Sequence, residues 1–376
     1  MRIAQVAPLT ESVPPQTYGG TERVVSYLTE TLVSLGHEVT LYASGDSVTS
    51  AELRACCERA LRLDPEIDDL SRTFEQRHDE MMRRVLADSG EYDVIHFHVG
   101  WHEFPYFSRS QTPCVSTKHG RLDEPKVQER LHRFDGFPLI SISDAQRRPV
   151  PDANWVATIH HGLPDTLTVA GSGQRGYLAF LGRISPEKRP DLAIKIAQRA
   201  GWPLRIAAKV DPVDQAYFDT MIRPLLSLPG IEFVGELGEA DKMRFLAGAH
   251  ALLFPIDWPE PFGLVMIEAM ACGTPVIAFR RGSVPEVIDQ GVTGFIVETV
   301  DDAASAVARV HRLNRQRVRE VFRHRFSVMR MAADHVRLYE RLVAHRHRAP
   351  VAAEPFQADA GGRRLDRTSK TANDQR

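Results

Sequence analysis

RIAQVAPLTESVPPQTYGGTERVVSYLTETLVSLGHEVTLYA, residues 2–43, reads as strand, loop, helix and strand. Arg2 to Ala7 carries Ile3, Ala4, Val6 and Ala7, the pattern of a buried strand. Pro14, Pro15, Gly19 and Gly20 then turn the chain into a loop. From Thr21 to Leu35, Val24, Val25, Leu28, Leu32 and Leu35 recur at helical spacing, with Thr21 placed to cap the helix. Gly36 stops it, and His37 to Ala43 forms the next strand. Such alternation implies a parallel sheet with helices on both faces.

The alternation extends along the chain. Residues 51–89 read as mostly helical, charged and apolar by turns. Tyr92 to His98, Pro113 to Lys118 and Pro138 to Ser143 are short apolar runs that end in polar residues or glycine. The carboxyl ends of parallel strands look like this, and ligands bind there. Trp155 to Ile159 closes the first half. DTLTVAGSGQRG, residues 165–176, is small and polar and reads as a linker. The β-α pattern then restarts at Tyr177 to Leu181 and runs through Pro275 to Phe279, and a last long helix spans Arg315 to His345. The expected division is a first α/β domain over 1–165, a linker over 166–176 and a second α/β domain over 177–330. A terminal helix over 331–348 packs back toward the first domain, and a disordered tail covers 349–376. Two α/β halves joined this way make a cleft.

Composition narrows the function classes. Lys and Arg number 47 against 49 Asp and Glu, so the net charge of −2 argues against a generally basic nucleic-acid binder. No run of about 18 apolar residues occurs, which excludes a spanning helix, and MRIAQVAPL is too short and mixed for a secretory leader. The four cysteines (Cys56, Cys57, Cys114 and Cys272) form no metal-type spacing and read as reduced thiols. A cytoplasmic enzyme fits. Seven arginines between Arg54 and Arg84 would allow peripheral membrane contact, but interleaved acidic residues favour a solvated face.

Chemistry concentrates in PEPFGLVMIEAMACGTPVI, residues 259–277. Glu260 lies in a loop stiffened by Pro259 and Pro261. Gly263 opens a short helix whose free N–H groups can face an anion. Glu268 sits about one turn inside, placed to accept hydrogen bonds from sugar hydroxyls through two carboxylate oxygens. Two glutamates eight apart, taken alone, fit a Pro-rich loop before a core helix equally well. The complete string is far more specific.

That string resembles the Glu-x7-Glu signature of the family 4 retaining glycosyltransferases. Their fold, GT-B, has two Rossmann-like doubly wound parallel-sheet domains facing a cleft. Three further segments agree in order. Gly19-Gly20-Thr21-Glu22-Arg23 resembles the family's glycine loop, and Gly182-Arg183-Ile184-Ser185-Pro186-Glu187-Lys188 its phosphate-binding element. Gly282-Ser283-Val284-Pro285-Glu286 resembles the segment after the signature helix. The likeness covers roughly residues 1–345.

The resemblance implies a donor site. Glu268 would bind the ribose hydroxyls of a nucleotide donor, and Glu260 hydroxyls of the transferred sugar. Arg183 and Lys188 would hold the diphosphate, completed by Gly19, Gly20 and the Gly263-Leu264 amides beside Phe262. Leu237, in Val234-Gly235-Glu236-Leu237, falls in the loop that resembles the base-holding one. His119, at the end of a strand, resembles the family's histidine near the donor sugar; the alternative is a turn histidine with no role. Growing negative charge on a departing diphosphate is stabilised by two cations and a helix N-terminus. No two aspartates lie two positions apart, so the metal-binding Asp-x-Asp motif is missing, and no cofactor or catalytic metal is expected. His96 and His98 point the same way on a strand and suit core or acceptor-cleft roles. Lys209 stands where many relatives have a Gly-rich turn; it could add charge near the phosphates or simply be solvated, and solvation is the preferred reading. Ile159-His160-His161-Gly162 stands where relatives often have Pro-Asn-Gly.

The implied activity moves a hexose from a UDP- or GDP-sugar to a hydroxyl of a saccharide, lipid-linked or small-molecule acceptor that the sequence leaves unidentified. The alternatives are an epimerase on the same fold and a non-catalytic nucleotide-sugar binder.

Overall fold

The computed structural model of the chain describes residues 1–16, 19–65, 67, 69–167 and 176–348. Most of the expected linker (168–175) and the expected disordered tail (349–376) lie outside the described residues.

Two parallel sheets account for the strands. The first contains β1 (Arg2–Val6), β2 (Glu38–Ser44), β3 (Glu52–Cys57), β4 (Val94–Phe97), β5 (Cys114–Thr117), β6 (Leu139–Ser141) and β7 (Trp155–Thr158), in the order β3-β2-β1-β4-β5-β6-β7. The second contains β8 (Leu178–Arg183), β9 (Leu204–Lys209), β10 (Ile231–Gly235), β11 (Ala251–Phe254), β12 (Val276–Phe279) and β13 (Gly294–Val297), in the order β10-β9-β8-β11-β12-β13. Among the described residues every strand pairing is parallel. The central strands are buried throughout, which is why they read as short apolar runs. In each sheet the strand order reverses between the first strand and the fourth. Loops diverge at such a reversal and leave a crevice at the carboxyl ends.

Three expectations need correction. Residues 52–57 are a strand, not the start of a helix; β3 is a half-exposed edge strand, so its apolar pattern is broken by Glu52 and Arg54. The helix that follows covers only Leu70–Ala87, capped by Asp69. The expected single helix over 315–345 is two helices, Arg315–Arg325 and Val328–Arg348. Phe326 and Ser327 separate them because the chain changes bodies there: Phe322 and Phe326 pack in the core of the second domain, whereas Met331, Leu338 and Tyr339 pack against Leu28 and Leu32 of the helix Gly20–Ser34. Finally, that helix begins at Gly20 with Gly19 as its N-cap, and Thr21 does not cap it.

The crossing is tightly made. Leu163 N–H donates to the Phe326 carbonyl at 2.9 Å, and Val328 N–H donates back to the Leu163 carbonyl at 2.9 Å. A Cβ on Gly162 would fall 2.4 Å from the Ser327 carbonyl oxygen, so only glycine fits. Further bonds join the two bodies. The N–H groups of Asp144 and Ala145, opening a short helix, donate to the Glu286 carboxylate at 2.8 and 2.7 Å, and Ser143 Oγ donates to the Pro261 carbonyl at 2.6 Å. Replacing Gly162 with alanine should cost ~1–3 kcal/mol through overpacking, read as a lowered denaturation midpoint; an unchanged midpoint would refute the close approach.

Candidate active site

The reversals of the two sheets face each other across a cleft of about 580 Å³, a volume that suits a small ligand. Its walls are the loops after β1, β3, β5, β6, β7, β8, β9, β10 and β11 with the first turns of the helices that follow, so the lining gathers at the carboxyl ends of both sheets. Gly19, Gly20, His119, Arg183, Lys188, Leu237, Glu260, Phe262, Gly263, Leu264 and Glu268 all line this one cleft.

The second-domain wall is built around the helix Leu264–Ala271. Gly263 caps it with φ at 79°, a conformation that favours glycine, and no side chain occupies the first N–H groups. The preceding loop is pinned from below. Ser283 N–H donates to the Glu260 carbonyl at 3.0 Å, Ser283 Oγ donates to the Phe262 carbonyl at 2.8 Å, and a Cβ on Gly282 would lie 2.2 Å from the Glu260 carbonyl oxygen. This explains why Gly282-Ser283 must follow the signature helix. Glu260 Oε2 accepts from the Trp258 indole N–H at 2.9 Å and from Lys188, whose ammonium lies 4.8 Å from the Trp258 ring centre. Glu268 is held by Lys242. Arg183 is held by Glu187 at 2.5 Å and lies 3.3 Å from Asp214.

The first-domain wall carries the glycine loop. Leu264 packs close to Gly20, which brings the two helix N-termini against one another across the cleft. Arg23 reaches Glu239 of the second domain at 2.8 Å, and Tyr27 donates to the same carboxylate. Arg62 pairs with Glu11 at 2.8 Å. Glu22 sits below Gly19, where burial pushes its carboxyl up to about 7, opposed by a backbone N–H and joined by repulsion from Glu11. His119 follows β5 by two residues and lines the cleft, its Nε2 2.9 Å from His98 Nδ1. Burial pushes it down to about 3, so its ring is neutral.

Sequence reasoning missed Lys242, Trp258, Arg23, Arg62 and Glu239. Lys242 lies 26 positions before Glu268 with no motif to announce it; Trp258 is adjacent to the quoted string and could have been read with it. Lys209, expected to be solvated, stands in the cleft wall and pairs with Asp211 at 2.8 Å. It is the last residue of β9, at the carboxyl end of the strand that faces the cleft. Six cations therefore line the cleft (Arg23, Arg62, Arg183, Lys188, Lys209 and Lys242), and each has a carboxylate partner. Among the described residues no group of three or more His, Cys, Asp or Glu side chains is arranged to hold a metal ion.

Two family models cover most of the chain. Residues 18–147 match glycosyltransferase family 4, and residues 170–327 match glycosyl transferases group 1. The chain belongs to the family 4, group 1 glycosyltransferases. Among curated relatives, the D-inositol 3-phosphate glycosyltransferase of Saccharomonospora viridis is 35% identical over 280 residues, 60% of this chain and 63% of that protein. That of Mycolicibacterium smegmatis is 27% identical over 274 residues, 59% of this chain and 60% of that protein. The match thus spans less than two thirds of these relatives' own length. Among solved structures, AviGT4, a glycosyltransferase involved in avilamycin A biosynthesis, superposes with a TM-score of 0.72 at 26% identity, covering 92% of this chain and 98% of that one. Anabaena HepE, solved with UDP and glucose, shares the fold alone: TM-score 0.69 and 17% identity, over 91% of this chain and 100% of that one. The two-sheet architecture is GT-B.

Glu22 gives this glycosyltransferase-family cleft a pH signature. A carboxyl raised to about 7 in the fold, against an ordinary value of 4.5, binds its proton more tightly folded than unfolded. Stability is therefore expected to fall as pH rises from about 4.5 to about 7. Glu22→Gln should flatten that slope in denaturant titrations at pH 5 and 7.5. The same slope in the variant would assign it to other groups.

Proposed function

We propose that this chain transfers a hexose from a UDP- or GDP-linked donor to a hydroxyl of a saccharide, lipid-linked or small-molecule acceptor, with retention and without a catalytic metal. The observation that carries this reading is the paired set Lys188–Glu260 and Lys242–Glu268 beside two glycine-capped helix N-termini that have no side-chain cap, in one cleft. Family membership, and the UDP-glucose in complex with Anabaena HepE, support a nucleotide sugar.

The pairs suit an exchange of partners. A diphosphate entering the cleft offers Lys188, Arg183 and Lys242 phosphate oxygens in place of carboxylates. Glu260 and Glu268, so released, accept hydroxyl hydrogens, Glu268 from the ribose and Glu260 from the sugar. Each charge keeps a partner throughout, which matters where water is scarce. In the transfer, the bond from the anomeric carbon to the diphosphate oxygen breaks and the acceptor oxygen bonds to that carbon on the same face. The acceptor's proton passes to the departing phosphate oxygen, so no protein base is required. The cations and the N–H groups of Gly263-Leu264 and Gly19-Gly20 stabilise charge that grows only as the bond breaks. The acceptor enters from the first domain, beside His119, and closure of the cleft excludes water that would hydrolyse the donor.

The test is donor binding by thermal shift and calorimetry with UDP, UDP-glucose and GDP-mannose, each with EDTA and with magnesium. Binding that survives EDTA supports the reading; binding that requires magnesium, or none with any nucleotide sugar, overturns it. Lys188→Ala should weaken the bound donor at least ~10-fold, the loss of about one charge-assisted contact. Glu268→Ala should weaken UDP but leave inorganic diphosphate within about twofold.

A further inference from the structure

Behind His119 runs an unbroken chain of buried hydrogen bonds. His119 Nε2 lies 2.9 Å from His98 Nδ1, and His98 Nε2 lies 2.9 Å from the Gln5 carbonyl oxygen. The Gln5 amide nitrogen donates to the Tyr339 hydroxyl at 3.1 Å. That hydroxyl is 2.6 Å from His96 Nδ1, and His96 Nε2 is 2.7 Å from Thr117 Oγ1. Gln5, Tyr339 and His96 have no exposed surface, and His98 and Thr117 are 4% exposed. The chain joins three neighbouring strands of the first sheet to the helix Val328–Arg348, which arrives from beyond the second domain.

Gln5 gives the chain its direction. An amide carbonyl only accepts and an amide NH₂ only donates. With its carbonyl toward His98, the proton of His98 must sit on Nε2, leaving Nδ1 to accept from His119 Nε2–H. On the other arm Tyr339 accepts from Gln5 and so donates its own proton to His96 Nδ1, and His96 donates from Nε2 to Thr117. Each link has one donor and one acceptor. An extra proton on His98 or His96 would set two donors face to face. His119 is then left with a bare Nδ1, buried in the cleft wall with no hydrogen-bond partner among the described residues.

We infer that Gln5 and Tyr339 are positioning residues that hold His119 as the neutral Nε2–H tautomer, so that it meets a bound saccharide only as a hydrogen-bond acceptor and has no proton to give the departing group. A buried polar chain of this length stabilises a fold no better than apolar packing would; its use is to specify one arrangement. The role in transfer rests on the proposed function, whereas the tautomer does not. The surroundings oppose a charged ring. Burial comes first, His335 from the terminal helix and the adjacent Lys118, already paired with Glu103 at 2.8 Å, add to it, and His161 stacks on His119 at 5.3 Å. Burial holds His96 and His98 well below the usual histidine range as well.

The experiment is ¹⁵N–¹H correlation of histidine-labelled full-length protein without substrate, with His119 assigned by His119→Gln. The expected result is a single Nε2–H tautomer for His119 that does not titrate between pH 5 and 8. A His119 found as Nδ1–H, or titrating near 6.5, overturns the proposal. Gln5→Met removes the directing amide at nearly constant volume and should populate both tautomers. If that variant fails to fold, Tyr339→Phe, which cuts the chain one bond further on, makes the same prediction. An unchanged tautomer in a folded variant also overturns the proposal. Where a donor and acceptor pair is found, the variants should lower kcat about tenfold and shift UDP affinity less than twofold. A locked tautomer in a protein that binds no nucleotide sugar would leave the relay standing and refute the proposed function instead.

Discussion

Paired charge is the constraint around which this cleft is organised. An unpartnered ammonium or carboxylate in a half-dry crevice costs several kcal/mol, so each cation that could meet a diphosphate is held beforehand by a carboxylate: Lys188 by Glu260, Lys242 by Glu268, Arg183 by Glu187 and Asp214. The carboxylates that partner the lysines are themselves suited to sugar hydroxyls. In the proposed reaction, binding exchanges partners rather than creating or stranding charge. Arg23 and Tyr27 extend the same logic between the domains by sharing Glu239.

That arrangement is possible only because the backbone brings the two sheets' reversals into opposition. The crossing of Gly162 against Ser327, close enough to leave no room for a Cβ on Gly162, returns the chain to the first domain and seats its last helix beside Leu28 and Leu32. Glu286 holds the N–H groups of Asp144 and Ala145, and Ser143 holds the Pro261 carbonyl next to Glu260. The terminal helix thus does more than cover a sheet. Through Tyr339 it meets the buried histidine chain that ends at the cleft.

Legibility followed burial and local spacing. Central strands such as Val94–Phe97 and Ala251–Phe254 are apolar on both faces and were readable as short runs. The edge strand Glu52–Cys57 is half-exposed and took on the look of an amphipathic helix, and the break at Phe326 lies within a stretch whose local pattern continues to favour helix. Within the site, Glu260, Gly263 and Glu268 were legible because one loop and one helix carry all three. Lys242, Arg23 and Arg62 were not, since each comes from a separate element and has no neighbour in sequence that shares its task. Lys209 was misplaced because exposure at a strand end depends on what lies opposite.

By itself the sequence determined the α/β class, the family resemblance and the Glu260–Glu268 element, all of which rest on periodicity or on contacts made within about twenty residues. Tertiary structure alone decided which carboxylate holds which cation, how the last helix crosses between domains, and the tautomer-setting chain from Gln5 to His119. Apart from the local pairs Arg183–Glu187 and Lys209–Asp211, those features join residues from 21 to 334 positions apart, and no local pattern encodes a partner that arrives from another strand or another domain.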